Sequence, residues 1–147
     1  MIFRAFDFQA DASTIASFYE QEWKIPAGPT LQNLSSNNVI LQLVLIHENE
    51  IIATGGLYHK VGIHQEGNFT QDHPWLALMY VQPIYRGKGI GAQLLEELEK
   101  RARKQGFEKV CLFTRDQQGF YQRSKWILEE KLTLKDQPIF LMHKYLK

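Results

Sequence analysis

Between Trp75 and Gln105 an apolar run, a glycine-dense turn and a long amphipathic stretch follow one another without a break. Trp75–Val81 suits a buried strand and ends ahead of Pro83. The turn Arg86-Gly87-Lys88-Gly89-Ile90-Gly91 leads into Ile90–Gln105. There Ile90, Leu94, Leu98 and Ala102 fall on one line, Gly91 and Leu95 run beside it, and the rest is largely charged. This spacing predicts a helix, stopped by Gly106. A strand that feeds a helix through glycines commits the chain to a βαβ step, and so to a sheet with a parallel pair.

Around that unit the pattern gives the order β–α–(α)–β–β–β–α–β–α–β–β. Ile2–Phe8 alternates like a short edge strand. Asp11-Ala12-Ser13 offers N-cap chemistry for a helix through about Trp23, broken by Pro26-Ala27-Gly28-Pro29. Thr30–Ser36 reads as another short helix. Val39–Ile46 and Ile51–Tyr58 predict a hairpin, the first strand buried on both faces. Val61–Pro74 is polar and irregular, and reads as a surface loop. Lys109–Arg115 is a strand, Gln117–Lys125 a short helix, and Trp126–Leu134 with Pro138–Leu146 a closing hairpin around Lys135-Asp136-Gln137. The expected fold is α/β (α+β): one mixed, mostly antiparallel sheet flanked by helices, in a single domain over residues 1–147.

Composition narrows the function classes. Lys plus Arg total 17 against 16 acidic residues, which leaves no global field for nucleic acid or an anionic membrane. Any phosphate must be held locally. The single cysteine, Cys111, excludes an internal disulfide framework, and the histidines lack metal-ligand spacing, so no metal is expected. No apolar run reaches the ~18 residues of a membrane span. Met1–Ala12 holds Arg4, Asp7 and Asp11, unlike a signal peptide, so a cytoplasmic protein is expected.

The glycine turn has the chemistry of an anion site. A helix N-terminus carries unpaired amide hydrogens and partial positive charge, which together hold phosphate. Gly87, Gly89 and Gly91 clear side chains from those amides, and Arg86 and Lys88 add charge. A blander role is a tight strand-to-helix connection. Gly87-Lys88-Gly89-Ile90-Gly91-Ala92 also satisfies one form of the dinucleotide fingerprint. Too little chain follows for such a domain, and its acidic residue could only be Asp116, far downstream. A Walker loop fails because no Gly-Lys-Ser/Thr closes the run.

The run Val81-Gln82-Pro83-Ile84-Tyr85-Arg86-Gly87-Lys88-Gly89-Ile90-Gly91 closely resembles the acetyl-CoA-binding signature of the GNAT-type N-acetyltransferases, whose core is Arg/Gln-x-x-Gly-x-Gly/Ala. The order of elements resembles that fold over essentially the whole chain. The resemblance implies a V-shaped gap between Trp75–Val81 and Lys109–Arg115 that admits the pantetheine arm. It implies that backbone groups of Met79, Tyr80 and Val81 pair with the arm and the acetyl carbonyl. Amides of Gly87, Lys88, Gly89, Ile90, Gly91 and Ala92 would hold the pyrophosphate, with Arg86 alongside. Gly119-Phe120-Tyr121-Gln122-Arg123-Ser124-Lys125-Trp126 resembles the family's later motif, with Lys125 where a glycine is usual, so the helix exit is expected to differ. By the same resemblance, the Tyr121 phenol reaches the thioester sulfur.

Acetyl transfer to an amine needs such a group. Attack on the thioester builds an oxyanion and expels coenzyme A as a thiolate, which a phenol at sulfur can protonate. The competing role for Tyr121 is packing. The attacking amine must be neutral, and relatives use a carboxylate or histidine through water. Here the candidate base is His73, just ahead of the Trp75–Val81 strand; Asp72, Tyr58 and His59 read individually as surface residues, and His143 as structural. Cys111, mid-strand, reads as a small buried hydrophobe without an activating partner. The expected function is an N-acetyltransferase moving acetyl from acetyl-CoA to a primary amine by direct transfer. A non-catalytic acyl-CoA-binding module is the alternative. The acceptor is not legible, no aromatic is assigned to it, and the closing hairpin offers an edge for a homodimer.

Overall fold

The computed structural model describes residues 1–61 and 73–146. Strands β1 (Ile2–Ala5), β2 (Val39–His47), β3 (Glu50–Tyr58), β4 (Trp75–Val81), β5 (Lys109–Thr114), β6 (Ile127–Leu134) and β7 (Gln137–Tyr145) form one seven-stranded sheet, in the order β1-β2-β3-β4-β5-β7-β6. Neighbours are antiparallel except β4 and β5, the parallel pair that the βαβ step requires. Both hairpins turn through two left-handed residues, Glu48-Asn49 and Lys135-Asp136, the backbone hand that matches strand twist. It is β3, rather than β2, that runs buried from Ile51 to Tyr58, because it lies between β2 and β4 with helices over both faces.

Helices α1 (Phe8–Trp23) and α2 (Ala27–Leu34) cover one face; α3 (Ile90–Lys104) and α4 (Gln118–Arg123) cover the other. The apolar line of α3 packs as its spacing dictates: Leu94, Leu98 and Ala102 are fully buried beside Leu43, Ile52 and Leu112. Each such leucine contributes about 1.5–3 kcal/mol. Glu99 departs from the polar face assigned by pattern. It is 7% exposed, and its carboxylate accepts from the Trp126 Nε1–H at 3.0 Å and the Lys144 ammonium at 2.7 Å. No helix among the described residues is long and apolar enough to cross a membrane.

Local capping differs from the sequence expectation at three points. The N-cap of α1 is Asp7, whose carboxylate accepts from the Ala10 N–H at 2.9 Å. Asp11 lies a turn inside, buried in a two-pronged pair with Arg4 of β1 at 2.7 and 2.9 Å. The guanidinium holds that carboxyl below its ordinary range. Pro26-Ala27-Gly28-Pro29, expected only to break α1, also opens α2, since proline fits a first helical turn. The Val61–Pro74 loop lies mostly outside the described residues.

The third point is the exit of α4. The Trp126 N–H donates to the Tyr121 carbonyl at 3.0 Å and the Lys125 N–H to the Gln122 carbonyl at 3.0 Å, a closing pattern that places the intervening residue in left-handed backbone. Lys125 takes that conformation, with φ 71°, so the exit keeps the glycine geometry without the glycine. Lys125→Gly should therefore raise stability by about 1 kcal/mol through relief of the left-handed cost. Urea unfolding monitored by tryptophan fluorescence checks this.

Candidate active site

The site begins where β4 loses its neighbours. Trp75 pairs with Cys111, and beyond it no residue of β4 has a partner on β5. Toward β3 the register carries Thr54↔Tyr80 and then Gly56↔Ala77, so Gly55 alone faces Leu78 and Met79. This is a β-bulge, which bends a strand and re-aims its backbone. Leu78 sits in it with φ 59°, at a cost of about 1–2 kcal/mol for a residue with a side chain. Gly55 lies close beneath it: a Cβ there would stand 2.7 Å from Met79 Sδ, so the methionine side chain would have to shift.

The two strands open on a cleft of about 1140 Å³. Leu76–Met79 form one wall, Phe113–Gln117 the other, and Tyr121 closes the α4 side. On the opposite side the cleft continues past Trp23 to Thr30 and Asn33 of α2. Tyr121 is 9% exposed, its ring edge-on to Phe120 and Trp126 with centroids 5.0 and 5.8 Å away. Burial pushes its phenol up to about 12, so it stays protonated at neutral pH and can act as a donor.

Of the three β4 residues expected from sequence, Met79 lines the cleft. Tyr80 turns to the α1 face, stacked on Phe18 at 4.6 Å. Val81 packs toward the α3 core, and its carbonyl accepts from Arg86 Nε at 2.7 Å. The guanidinium of Arg86 also donates to Glu22 at 2.8 Å and lies 5.5 Å from the centre of the Tyr80 ring. It braces the glycine turn against β4 and the end of α1. The Lys88 ammonium lies over the Tyr85 ring, 5.9 Å from its centre.

Gly87 and Gly89 have φ of 77° and 80°, with open space where a Cβ would stand, so their need for glycine is set by backbone conformation. At Gly91 a Cβ would make ordinary contact with the Phe120 ring at 3.6 Å. Helix α3 starts at Ile90 with no side-chain cap and no acid in its first turn. The first intrahelical bond runs from the Gln93 N–H to the Gly89 carbonyl, which leaves the amides of Ile90, Gly91 and Ala92 as first-turn donors.

His73 is half-buried ahead of β4 and is not among the cleft-lining residues; Asp72 lies outside the described residues. Tyr58, expected at the surface, is instead 1% exposed and donates to Gln42 Oε1. Its place at the end of β3 gave no sign of this, because the partner comes from β2. His59 is exposed. His143 Nδ1 stands 3.3 Å from a Glu129 carboxylate oxygen on β6, away from the cleft. Cys111 is fully buried, and burial pushes its thiol up to about 11, which favours the protonated thiol near neutral pH. Sequence reading missed Tyr19, Gln42 and Thr54, which join Tyr58 in a buried hydrogen-bonded chain on the α1 face. The one local signal was the pair Gly55-Gly56 inside a strand, a mark of close approach.

Comparison with known proteins agrees with this geometry. The sequence profile of the acetyltransferase (GNAT) family matches residues 7–125. No curated protein matches the chain by sequence. Among solved structures, an aminoglycoside 6′-N-acetyltransferase complexed with coenzyme A superposes with a TM-score of 0.83 at 15% identity, covering 100% of this chain and 98% of that one. A ribosomal-protein-alanine N-acetyltransferase from Brucella melitensis superposes with a TM-score of 0.79 at 19% identity, covering 99% and 100%. The ribosomal-protein-S18-alanine N-acetyltransferase of Escherichia coli gives 0.76 at 15% identity, covering 99% and 93%. With its parting β4 and β5, its uncapped α3 behind a glycine turn and a profile match over most of its length, this chain belongs to the acetyltransferase (GNAT) family.

Proposed function

We propose that the protein moves the acetyl group of acetyl-CoA directly onto a primary amine while both are bound. The observation that carries this reading is the cleft between β4 and β5, with the protonated Tyr121 phenol in its wall and a continuing arm past Trp23 for an acceptor. That second arm favours a catalyst over a module that only holds acyl-CoA. In this reading the pantetheine lies along Met79, Tyr80 and Val81. The pyrophosphate meets the amides from Gly87 to Ala92, with Lys88 and the braced Arg86 alongside. The amine nitrogen bonds to the thioester carbon and gives up its proton to the base, and the C–S bond then breaks. The thiolate accepts a hydrogen bond from the Tyr121 phenol until it takes a proton, which Tyr121 regains from solvent if it is the donor. His73 is the proposed base through water, and Asp116, which lines the cleft, is its competitor.

A cytoplasmic location belongs to the same proposal. So does pairing of two copies along the outer β6 edge, where Ile127 and Leu128 are 51% and 42% exposed.

Four outcomes test this reading. Gly89→Val should weaken acetyl-CoA binding by at least about tenfold in calorimetry, through its backbone and its bulk at the phosphate, while Gly91→Ala should bind nearly as the parent does. Tyr121→Phe should keep fold and affinity but slow the chemical step by roughly a hundred- to thousandfold, and parental turnover would reduce Tyr121 to a packing residue. Where chemistry limits turnover, His73→Asn should lower kcat by roughly a hundredfold and Asp116→Asn leave it near the parental value; the reverse pattern moves the base to Asp116. Mass spectrometry should find no acetyl adduct on Cys111.

A further inference from the structure

Among the described residues, Leu78 is the one positive-φ residue inside a strand rather than in a turn or at a helix end. Such a conformation persists only where its surroundings hold it. The holder is Tyr19 of α1, 0% exposed, whose hydroxyl donates to the Leu78 carbonyl at 2.8 Å.

A count of protons orients the side chains around that bond. The Thr54 hydroxyl donates to the Leu43 carbonyl at 2.7 Å, so its oxygen must accept from Gln42 Nε2 at 2.7 Å. The second Nε2 hydrogen goes to the Tyr19 oxygen at 3.1 Å, and Gln42 Oε1 takes the Tyr58 proton. Flipping the Gln42 amide would leave its oxygen facing a threonine with no proton to give. The Leu78 carbonyl can only accept, so in this bond the Tyr19 hydroxyl is the donor. Burial pushes both the Tyr19 and Tyr58 phenols upward, so neither loses its proton near neutral pH. Gly56 makes the arrangement sterically feasible, because a Cβ there would collide with Gln42 Oε1 and the Tyr58 hydroxyl.

The Leu78 carbonyl and the Met79 N–H belong to one planar peptide, so a group that fixes one fixes the other. Leu78 and Met79 have no Cα partner on β3, and past Trp75 none on β5, so this peptide lies outside the regular register of both ladders. Both residues line the cleft. We propose that Tyr19 is a positioning residue for acetyl transfer, whose hydroxyl, aligned by Gln42, sets the Leu78–Met79 peptide against the acetyl carbonyl. This rests on the acetyl-CoA reading above, and it adds a residue that acts through the Leu78–Met79 peptide.

The test is isotope-edited infrared spectroscopy of [1-13C]acetyl-CoA bound to the full chain. In the parent, a hydrogen-bonded thioester carbonyl should absorb at lower frequency than in buffer. In Tyr19→Phe, which keeps the ring, at least half of that shift should vanish while Kd stays within about threefold, under 1 kcal/mol. A purely structural tyrosine would lower the melting temperature and leave the band where the parent has it, which overturns the proposal. If Tyr19→Phe fails to fold, Tyr58→Phe replaces it. Removing that far proton should reduce the shift by a smaller amount, and an unmoved band again overturns the proposal. Acetyl-CoA bound to the parent with no shift sinks the positioning role alone. No binding by parent or variant sinks the cofactor reading beneath it.

Discussion

The hydrogen bond from Tyr19 to the Leu78 carbonyl ties α1 to the point where β4 parts from both neighbours. A continuous sheet would pair every backbone group in its middle and leave nothing to meet a ligand. Here the bulge releases a short length of strand from the β3 ladder, and the departure of β5 uncovers its other edge. Left-handed backbone at Leu78 is the cost of that opening, and a buried hydroxyl offsets it. The wall formed by Leu76, Ala77, Leu78 and Met79 spans this one irregularity.

The glycine turn and Tyr121 share a support. Glu99 of α3 holds Trp126 just past α4 and Lys144 of β7, and the same ammonium donates to the Ser124 carbonyl at 2.9 Å. The helix whose first turn presents free amides is thus fastened to the exit of the helix that carries Tyr121. Phe120 packs over Gly91 from the other end of α4. Removing one partner of such a buried ion pair leaves a charge without compensation, so the joint resists piecemeal change.

What could be read from the residues was local and periodic. The line Ile90, Leu94, Leu98 and Ala102 specified α3 and its buried face, and the glycine turn before it specified the βαβ step, because both signals lie within one stretch of chain. Lys125 was legible as a departure from glycine, although its φ of 71° was not, since the closing hydrogen bonds rather than the residue type impose it. Asp11 looked like a cap because capping residues and buried ion-pair residues share one alphabet; only Arg4 across the β1–α1 corner separates them. Tyr19, Gln42, Thr54 and Tyr58 come from α1, β2 and β3, and their meeting depends on register. No window of sequence contains it. The lone hint was Gly56, a residue kept small by what must pass over it.

Strand β7 lies between β5 and β6, yet it follows both in the chain. A chain emerging from its N-terminal end can pair β1 through β4 as each strand appears, since those neighbours are consecutive. β5 has only its single Cα partner on β4 until Gln137–Tyr145 arrives to fill the gap. The wall of the cleft that β5 and α4 provide is therefore the half assembled last during synthesis. Until then the exposed edge of β5 is the surface most open to wrong pairing, as unpaired strand edges are in any unfinished sheet.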